Sequence, residues 1–331
     1  MAEQNAGPMP DLQSARVVVT GAGGAIGSRL VRRLAGLGAA VTAVDLHMPD
    51  PGHRLDGVTC VAADIMDVDT LRPHLDGADI VYHLAYLMGE EANSDPVAAA
   101  RINTLGGTQL FQTCLEAKVG RMLMASSVSV FGTRRDYQPN NRPLDDHAAQ
   151  FGAKGIPVYA AGKIYLEKVA GHYLSRHGLL IGGLRPGAVI GCSRSTGRAK
   201  TVANIVATAA SGETVQLNNG RAAFQAVHVD DVVSAFVALA AVTPATLKQS
   251  PFFNLAGDYA TVQSYCDEVA RVLPEARFEI TDGESDELFG SSPFVADDGI
   301  HRLVGFERRY RSLNQAIEAE AGDLVRARAV A

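Results

Sequence analysis

The sequence of 331 residues contains no tryptophan, only four cysteines and no excess of positive charge. Its 30 Lys and Arg residues are outnumbered by 36 Asp and Glu, for a formal net charge of −6, so we expect no basic face for nucleic acid. No apolar run approaches the ~20 residues that a membrane-spanning helix needs. Residues 1–15 also lack the basic and apolar parts of a signal peptide, and they predict a flexible tail.

The placement of the cysteines and histidines argues against metal and disulfide chemistry. None of the four cysteines (Cys60, Cys114, Cys192 and Cys266) stands in CxxC spacing, and the nine histidines include no HExxH or HxH pair. We therefore expect neither a metal site nor a disulfide framework. Unpaired cysteines suit a reducing compartment, so the prediction is a cytoplasmic protein.

Apolar segments that resemble strands alternate with helical patterns through the first 185 residues. These segments are almost continuously apolar, as expected for parallel strands that are buried on both faces. The predicted strands are 16–20, 40–45, 58–64, 79–85, 121–127 and 179–185, and helical periodicity is present in 28–38 and 100–120. Repeated βα units of this kind predict an α/β fold with a doubly wound parallel Rossmann sheet.

A glycine-rich segment, VVVTGAGGAIGSRL (17–30), follows the first predicted strand and enters the first predicted helix. Gly21, Gly24 and Gly27 would let the backbone turn sharply and approach a pyrophosphate, whose charge is favoured at a helix N-terminus. The strand before the turn and the helix after it are the context that a dinucleotide-binding motif requires.

Asp45, at the end of the second predicted strand, carries the prediction of cofactor type. A carboxylate there can accept hydrogen bonds from the adenosine ribose hydroxyls and would repel the 2′-phosphate of NADP. The alternative is an ordinary turn aspartate, since Asp is common in turns. We favour NAD over NADP.

The alternation of strands and helices weakens beyond Arg185, which suggests a second unit. We predict an NAD-binding Rossmann domain over 16–186. Residues 187–331 are predicted to be mainly a smaller substrate-binding subdomain, with segments near 225–240 and 251–256 returning to the Rossmann domain.

The segment VYAAGK (158–163) places a tyrosine and a lysine one helical turn apart, which alone is compatible with a surface helix. A set of further motifs surrounds it: TGAGGAIG (20–27), AADI (62–65), HLA (83–85), INTLGGT (102–108), SSVSVFG (126–132), LRPGAVIG (184–191) and VHVDDV (227–232). In this order they strongly resemble the extended short-chain dehydrogenase/reductases, the family named after NAD-dependent epimerases and dehydratases. The resemblance runs from about Arg16 to Asp231.

The resemblance implies that Tyr159 is the general acid/base, that Lys163 assists it and that Ser127 holds the reacting substrate oxygen. Free tyrosine has a pKa of ~10, so a neighbouring ammonium is needed to stabilise a phenolate near neutral pH. Ser126 and Ser129 compete with Ser127, because either hydroxyl could instead bond to backbone.

The same resemblance implies sets of cofactor and substrate contacts. The predicted cofactor contacts are Gly21, Gly24, Ala25, Ile26, Gly27, Asp45, Asp64, Ile65, Leu84, Ala85, Asn103, Tyr159 and Lys163. The predicted substrate contacts are Met88, Ser127, Ser129, Tyr159 and Arg194. For Asn103 a structural role is an equal alternative, and His83 and His228 are predicted to be structural.

Departures from the family pattern bear on the substrate. Val128 and Ser129 stand where related dehydratases carry an Asp-Glu pair, so dehydration is disfavoured. Ala188 and Phe224 stand where nucleotide-sugar enzymes usually place Asn and Arg, whose charge-assisted hydrogen bonds contribute ~1.5–3 kcal/mol each. We therefore expect a smaller substrate without a nucleotide, namely a sugar, a sugar acid or a hydroxy-ketone.

Three further features depart from the family pattern. Tyr86 lies in the segment YLMGEEANSD (86–95), which replaces the usual small residues after HLA and is predicted to line the pocket. Gly162 stands where relatives commonly carry serine. The insertion 134–157 is predicted to cover the substrate mouth or to contact another subunit.

The leading hypothesis is an NAD-dependent oxidoreductase that moves a hydride between a carbinol carbon of a small-molecule substrate and nicotinamide. The first alternative is an NAD-dependent (nucleotide-)sugar epimerase that acts through a transient keto intermediate. The second is a cofactor-binding regulatory or scaffold protein without catalysis. A homodimer is expected from the resemblance alone.

Overall fold

The computed structural model describes residues 12–47, 55–132, 143–148, 156–192, 200–281 and 293–330. Arg194 and most of 1–15 and 134–157 lie outside these residues. The strands are β1 (Arg16–Thr20), β2 (Ala40–Asp45), β3 (Val58–Ala62), β4 (Ile80–His83), β5 (Arg121–Ala125), β6 (Ile181–Pro186), β7 (Ala188–Ile190), β8 (Thr214–Asn218), β9 (Ala223–His228), β10 (Phe252–Leu255), β11 (Asp258–Thr261) and β12 (Arg277–Thr281).

The α-helices are connected to these strands in alternation through the first half of the chain. They are α1 (Gly27–Gly36), α2 (Val68–Leu75), α3 (Gly89–Ser94), α4 (Pro96–Ala99), α5 (Gly107–Glu116), α6 (Val158–His172), α7 (Lys200–Ala210), α8 (Val229–Ala240), α9 (Pro244–Gln249), α10 (Val262–Val272) and α11 (Leu313–Val330). Wider π-helical turns occupy Ala100–Gly106, Tyr173–His177 and Ile300–Val304.

Seven parallel strands form the central sheet, in the order β10-β6-β5-β4-β1-β2-β3. This confirms the predicted α/β fold with a doubly wound parallel sheet. The predicted strands 58–64 and 79–85 are shorter than expected and end at Ala62 and His83. The residues after them leave the sheet at its carboxyl edge, where ligands bind in folds of this type.

Helices cover both faces of the central sheet, which explains why the strands are continuously apolar. On one face, α1 and α8 bury residues such as Leu30 and Phe236. On the other face, α2, α5 and α6 bury residues such as Leu71, Phe111 and Leu166. Full burial of a side chain of this size contributes about 1.5–3 kcal/mol.

The predicted helix 100–120 is instead two segments, because Ala100–Gly106 is π-helical and α5 begins at Gly107. Two adjacent glycines mark this junction. A Cβ at Gly106 would lie 2.9 Å from Met66 Sδ, and one at Gly107 would lie 2.8 Å from Leu166 Cδ2. The glycines thus allow the start of α5 to approach its neighbours closely. Wide turns of this type are frequent at functional sites.

A second unit is built from β7–β9, β11 and β12 with α7, α10 and α11 around a separate apolar core. Its sheets have the orders β11-β9-β7 and β12-β8. Two later segments belong to the central layer instead: α8 packs on the sheet, and β10 pairs in parallel with β6, with Phe252 opposite Gly183.

The described residues contain no helix with both the length and the apolarity needed to cross a bilayer. Across the same residues, no group of three or more His, Cys, Asp or Glu side chains is arranged to hold a metal ion.

Candidate active site

The glycine-rich turn lies against the end of β4. Gly21 has a φ of +72°, and a Cβ on it would lie 2.5 Å from the backbone nitrogen of Ala85. A Cβ on Gly27 would lie 2.0 Å from the Gly21 carbonyl oxygen. Only residues without a side chain allow this turn and this close approach. The turn therefore joins the carboxyl ends of β1 and β4 at one edge of the sheet.

The N-terminus of α1 suits a dinucleotide pyrophosphate. Ile26 precedes the helix without a side-chain cap, and the first turn holds no acidic residue. Backbone N–H groups of a first helical turn lack partners within the helix, and the helix dipole favours an anion beside them. Gly24, Ala25, Ile26 and Gly27 lie at this end of α1, so the predicted phosphate contacts fit the group.

Asp45 ends β2 beside the glycine turn. Its carboxylate accepts hydrogen bonds from Gly23 N at 2.9 Å and from His47 N at 3.2 Å. These bonds hold the carboxylate beside the glycine turn. Asp64 follows β3, and its carboxylate accepts from Met66 N at 2.9 Å. Ile65, the next residue, is buried.

Leu84 and Ala85 continue from β4 along the floor of the same edge. Leu84 N donates to the Thr20 carbonyl at 3.0 Å, and Ala85 N lies 3.5 Å from Thr20 Oγ1. Thr20 also bonds the ring of His83, whose Nδ1 lies 2.9 Å from its hydroxyl. Burial, and then the charge of Lys163, lowers the pKa of His83 to about 3. The buried ring is therefore neutral near pH 7.

Tyr159 and Lys163 lie in the first two turns of α6, as their spacing predicts. Lys163 is buried, and its Nζ donates to the Ala125 carbonyl at the end of β5 over 2.6 Å. Burial lowers the pKa of Lys163 to about 7, while the charge of Glu167 opposes that change. Tyr159 is half-buried, and its ring centroid lies 5.3 Å from that of Tyr86. The structure thus brings Lys163 to the carboxyl end of β5, with Tyr159 one helical turn before it.

The three candidate serines after β5 have different surroundings. Ser126 is buried, and its hydroxyl donates to Glu167 Oε1 at 2.5 Å. Ser127 accepts from Ser129 N at 3.2 Å, and its hydroxyl lies 3.1 Å from Ser129 Oγ. The Ser126 hydroxyl is therefore hydrogen-bonded to the buried carboxylate of Glu167. Ser127 and Ser129 form a hydroxyl pair at the sheet edge, against which α6 packs.

A buried ion pair between Arg185 and Glu167 lies next to Ser126. Arg185 on β6 donates from Nε and Nη2 to the two oxygens of Glu167 at 2.8 and 2.7 Å. Arg185 Nη1 also donates to the Asp146 carbonyl at 2.8 Å, and Asn254 N donates to the Asp146 carboxylate at 2.6 Å. The described part of the 134–157 insertion is thus held against β6 and β10.

Asn103 clamps the loop that follows β4. Its side-chain oxygen accepts from Leu87 N at 2.7 Å, and its amide nitrogen donates to Leu87 O at 2.9 Å. Both polar atoms of this buried amide therefore serve the backbone of the loop. Met88, the predicted substrate contact, follows directly at the start of α3.

The structure joins Tyr86 and Gly162, which sequence reasoning had singled out separately. The Tyr86 hydroxyl donates to the Tyr159 carbonyl at 2.9 Å. Lys163 Nζ lies 3.4 Å from the centroid of the Tyr86 ring. A Cβ on Gly162 would lie 2.3 Å from the Tyr86 hydroxyl oxygen. The sequence contained one hint of this contact: a large residue at position 86 and a glycine at position 162 both depart from the family pattern.

Ala188 and Phe224 belong to the second unit, and neither side chain has a polar group. Phe224 is only 2% exposed and packs on Tyr265 with ring centroids 5.7 Å apart. Ala188 is opposite Ala226 in the pairing of β7 with β9. His228, at the end of β9, accepts from Asp230 N at 3.2 Å and caps α8.

Comparisons with known proteins identify a matching family and several similar enzymes. The model of the family described as "NAD dependent epimerase/dehydratase family" matches residues 17–256. The L-arabinose 1-dehydrogenase (NAD(P)(+)) of Haloferax volcanii is 31% identical over 180 residues, which cover 52% of this chain and 66% of that enzyme. The UDP-glucose 4-epimerase of Mycolicibacterium smegmatis is 30% identical over 241 residues, which cover 67% of this chain and 72% of that enzyme.

Solved structures show the same fold. A monomeric L-threonine 3-dehydrogenase from a metagenome database superposes with a TM-score of 0.80 at 21% identity, over 94% of this chain and 99% of that chain. At this level of identity the likeness supports the fold alone.

Proposed function

Because the chain belongs to the NAD dependent epimerase/dehydratase family, we propose that it is an NAD-dependent oxidoreductase acting on a carbinol carbon of a sugar, a sugar acid or a hydroxy-ketone. The observation that carries this proposal is the contact of Lys163 with the Ala125 carbonyl, two residues before Ser127, and with the ring of Tyr86, which follows the Ala85 that packs on Gly21. A bound nicotinamide would accept or return the hydride.

The protein groups in this proposal bind, orient and move a proton. Tyr159 removes the proton of the substrate hydroxyl during oxidation and returns it during reduction. Ser127, with Ser129, orients the same oxygen by a hydrogen bond. The Lys163 ammonium stabilises the Tyr159 phenolate and binds ribose hydroxyls. Met88 and Arg194 are proposed substrate contacts, and the second unit is proposed to be mainly a substrate-binding subdomain.

We propose NAD rather than NADP as the cofactor. The Asp45 carboxylate is held beside the glycine turn by Gly23 N and His47 N. In that position it favours ribose hydroxyls and repels a 2′-phosphate. The proposed cofactor site comprises the glycine turn, Asp45, Asp64 and Ile65, and the Leu84–Ala85 strand end. Asn103 is proposed to support this site through Leu87.

A substrate without a nucleotide is supported by Ala188 and Phe224. The buried Phe224 ring offers no donor to a diphosphate, and such an anion would remain without its charge-assisted hydrogen bonds. The 31% identity with an arabinose dehydrogenase is compatible with a free sugar substrate.

The second candidate is a sugar epimerase, which the long match to a UDP-glucose 4-epimerase favours. Hydride would then leave one face of the carbon and return to the other, while the keto sugar turns within the site. The same residues serve both reactions. NAD that stays with the purified protein, with no net reduction by any sugar, would favour epimerisation.

The proposed assembly is a homodimer, although the monomeric structural neighbour shows that the fold does not require one. The proposed location is the cytoplasm, which suits the free cysteines of the described residues. Fractionation of the cells that make the protein checks this location.

The proposed activity is tested by a substrate panel of sugars, sugar acids and hydroxy-ketones, with NAD and NADP side by side. We expect nicotinamide reduction with NAD, and a loss of about 10²–10⁴-fold in turnover for Tyr159→Phe with NADH affinity retained. Tyr259→Phe, at an exposed tyrosine on β11, is the matched control. Unchanged turnover in Tyr159→Phe would contradict the mechanism, and a strong NADP preference would contradict the reading of Asp45.

A further inference from the structure

Tyr86 makes three separate contacts with the acid/base pair. Its hydroxyl donates to the Tyr159 carbonyl at 2.9 Å. Its ring face lies under Lys163, with Nζ 3.4 Å from the ring centroid. Its edge meets the Tyr159 ring at a centroid distance of 5.3 Å and an angle of 80°. One side chain thus touches both residues proposed to move the proton.

The Lys163 ammonium has lost most of its water, which makes the Tyr86 ring important. The Ala125 carbonyl and the aromatic face of Tyr86 both lie against Nζ. A buried cation without compensation is costly, and an aromatic face attracts a cation more strongly when both are removed from water. The ring therefore favours both the charge of Lys163 and its position.

The absence of a side chain at Gly162 leaves room for the Tyr86 hydroxyl. A Cβ at this position would lie 2.3 Å from the Tyr86 oxygen and 3.5 Å from its Cζ. Any side chain on Gly162 would push the phenol away from Lys163, and the serine of relatives would do so too. The glycine costs about fivefold in the local helix equilibrium relative to alanine, as its propensity difference of ~1 kcal/mol implies.

The backbone on both sides of Tyr86 is fixed, so the ring cannot easily leave its place. Ala85 lies against Gly21, and Leu87 is held at both of its polar backbone atoms by Asn103. Burial, and then the neighbouring Tyr159, raises the pKa of the Tyr86 phenol, so its hydroxyl remains a donor.

We infer that Tyr86 is a positioning residue for the Tyr159–Lys163 pair and that Gly162 is the space that admits it. This inference rests on the proposed function, because positioning matters only if the pair transfers a proton. The titratable groups that face Lys163 are Tyr86 and His83 from the end of β4, and Tyr159 and Glu167 on α6.

The steric part is tested by a double-mutant cycle in thermal unfolding, which needs no substrate. Gly162→Ala should lower the melting temperature when Tyr86 is present. The same change should raise it in the Tyr86→Ala background, where helix propensity alone acts. An additive cycle, with the same sign in both backgrounds, would overturn the proposed complementarity.

The positioning part is tested with Tyr86→Phe, which keeps the ring, and Tyr86→Leu, which removes it. Tyr259→Phe and Tyr259→Leu are the matched controls. With the substrate that the panel identifies, Tyr86→Leu should move the ascending limb of the pH profile upward by roughly 0.5–1 unit, because the ammonium is lost at lower pH. Tyr86→Phe should restore most of this shift.

NADH binding, followed by nicotinamide fluorescence, separates this inference from the proposed function. We expect Tyr86→Leu to weaken NADH binding by about 3–10-fold and Tyr86→Phe by less than about 2-fold. If the unmodified protein does not bind NADH, the proposed function fails. If it binds NADH and turns over substrate while Tyr86→Leu changes neither affinity nor pH profile, the positioning role is wrong.

Discussion

Lys163 illustrates, at the scale of one residue, how the proposed chemistry opposes stability. Lys163 is 4% exposed, and burial holds the pKa of its amine at about 7 instead of the usual 10.5. At pH 6 the amine is charged in both the folded and the unfolded chain, and the folded state bears the cost of desolvation. The unfolded chain binds more protons between pH 7 and 10.5, so stability rises with pH across that window.

Replacement of Lys163 by methionine should therefore separate stability from activity. We expect Lys163→Met to raise the free energy of unfolding by about 1–3 kcal/mol at pH 6, with the gain shrinking as pH rises toward 10.5. Turnover should fall at least ~100-fold. Chemical denaturation across this pH range measures the first effect. Lys168→Met, at an exposed lysine on α6, is the control, and a loss of stability at pH 6 would contradict this account.

At the scale of elements, a buried carboxylate on α11 makes the stability of the fold depend on pH. Glu320 is 5% exposed and accepts from Gly191 N, just after β7, at 3.1 Å. Burial raises the pKa of Glu320 to about 7, although the Gly191 bond and Arg29 act in the opposite direction. Between pH 4.5 and 7 the folded state therefore holds a proton on Glu320 that the unfolded state has released. Stability contributed through this group is present at pH 4.5 and is lost as pH rises through 7.

Glu320→Gln should remove this pH dependence while it keeps an oxygen that can accept from Gly191 N. We expect a gain of about 1–3 kcal/mol in the free energy of unfolding at pH 8, and little gain at pH 5. Urea titrations at both pH values make the comparison, with the exposed Glu318→Gln as control. Equal effects at pH 5 and pH 8 would show that the titration of Glu320 does not act on stability.

At the scale of the whole molecule, exposed apolar side chains on neighbouring helices form a candidate surface for the proposed dimer. Val97 on α4, Leu105 in the π-helical segment and Tyr165 on α6 are 71%, 48% and 45% exposed. Both α4 and the π-helical segment contact α6. A symmetric dimer would cover such a patch with the same patch of its partner.

The proposed dimer should be broken by a charge on this surface. We expect the unmodified protein to sediment as a dimer, and Tyr165→Arg to sediment as a monomer at micromolar concentration because the interface would bury an unpaired charge. Analytical ultracentrifugation gives the mass directly. Tyr259→Arg, at an exposed tyrosine of the second unit, should leave the mass unchanged. Sedimentation of the unmodified protein as a monomer would contradict the proposal.

The amino-acid sequence by itself determined the features that depend on local spacing. Continuous apolar runs predicted parallel strands buried on both faces, and the structure confirms the doubly wound sheet. The glycines after β1 and the one-turn separation of Tyr159 from Lys163 are also local features. Their predicted places follow from the order of strand and helix patterns along the chain. The strands predicted over 58–64 and 79–85 end earlier, at Ala62 and His83, because a strand ends where its neighbours no longer pair with it.

Only the tertiary structure decided which distant side chains meet. Ser126 lies beside Ser127 in sequence, yet it bonds Glu167 on another element. Tyr86 and Gly162 are complementary because β4 and α6 bring them into contact, and no periodicity encodes that distance. The pKa changes at Lys163 and Glu320 have the same origin, since burial is a property of the packed chain. Spacing along the chain specifies faces and turns, whereas desolvation and steric fit depend on which elements pack together.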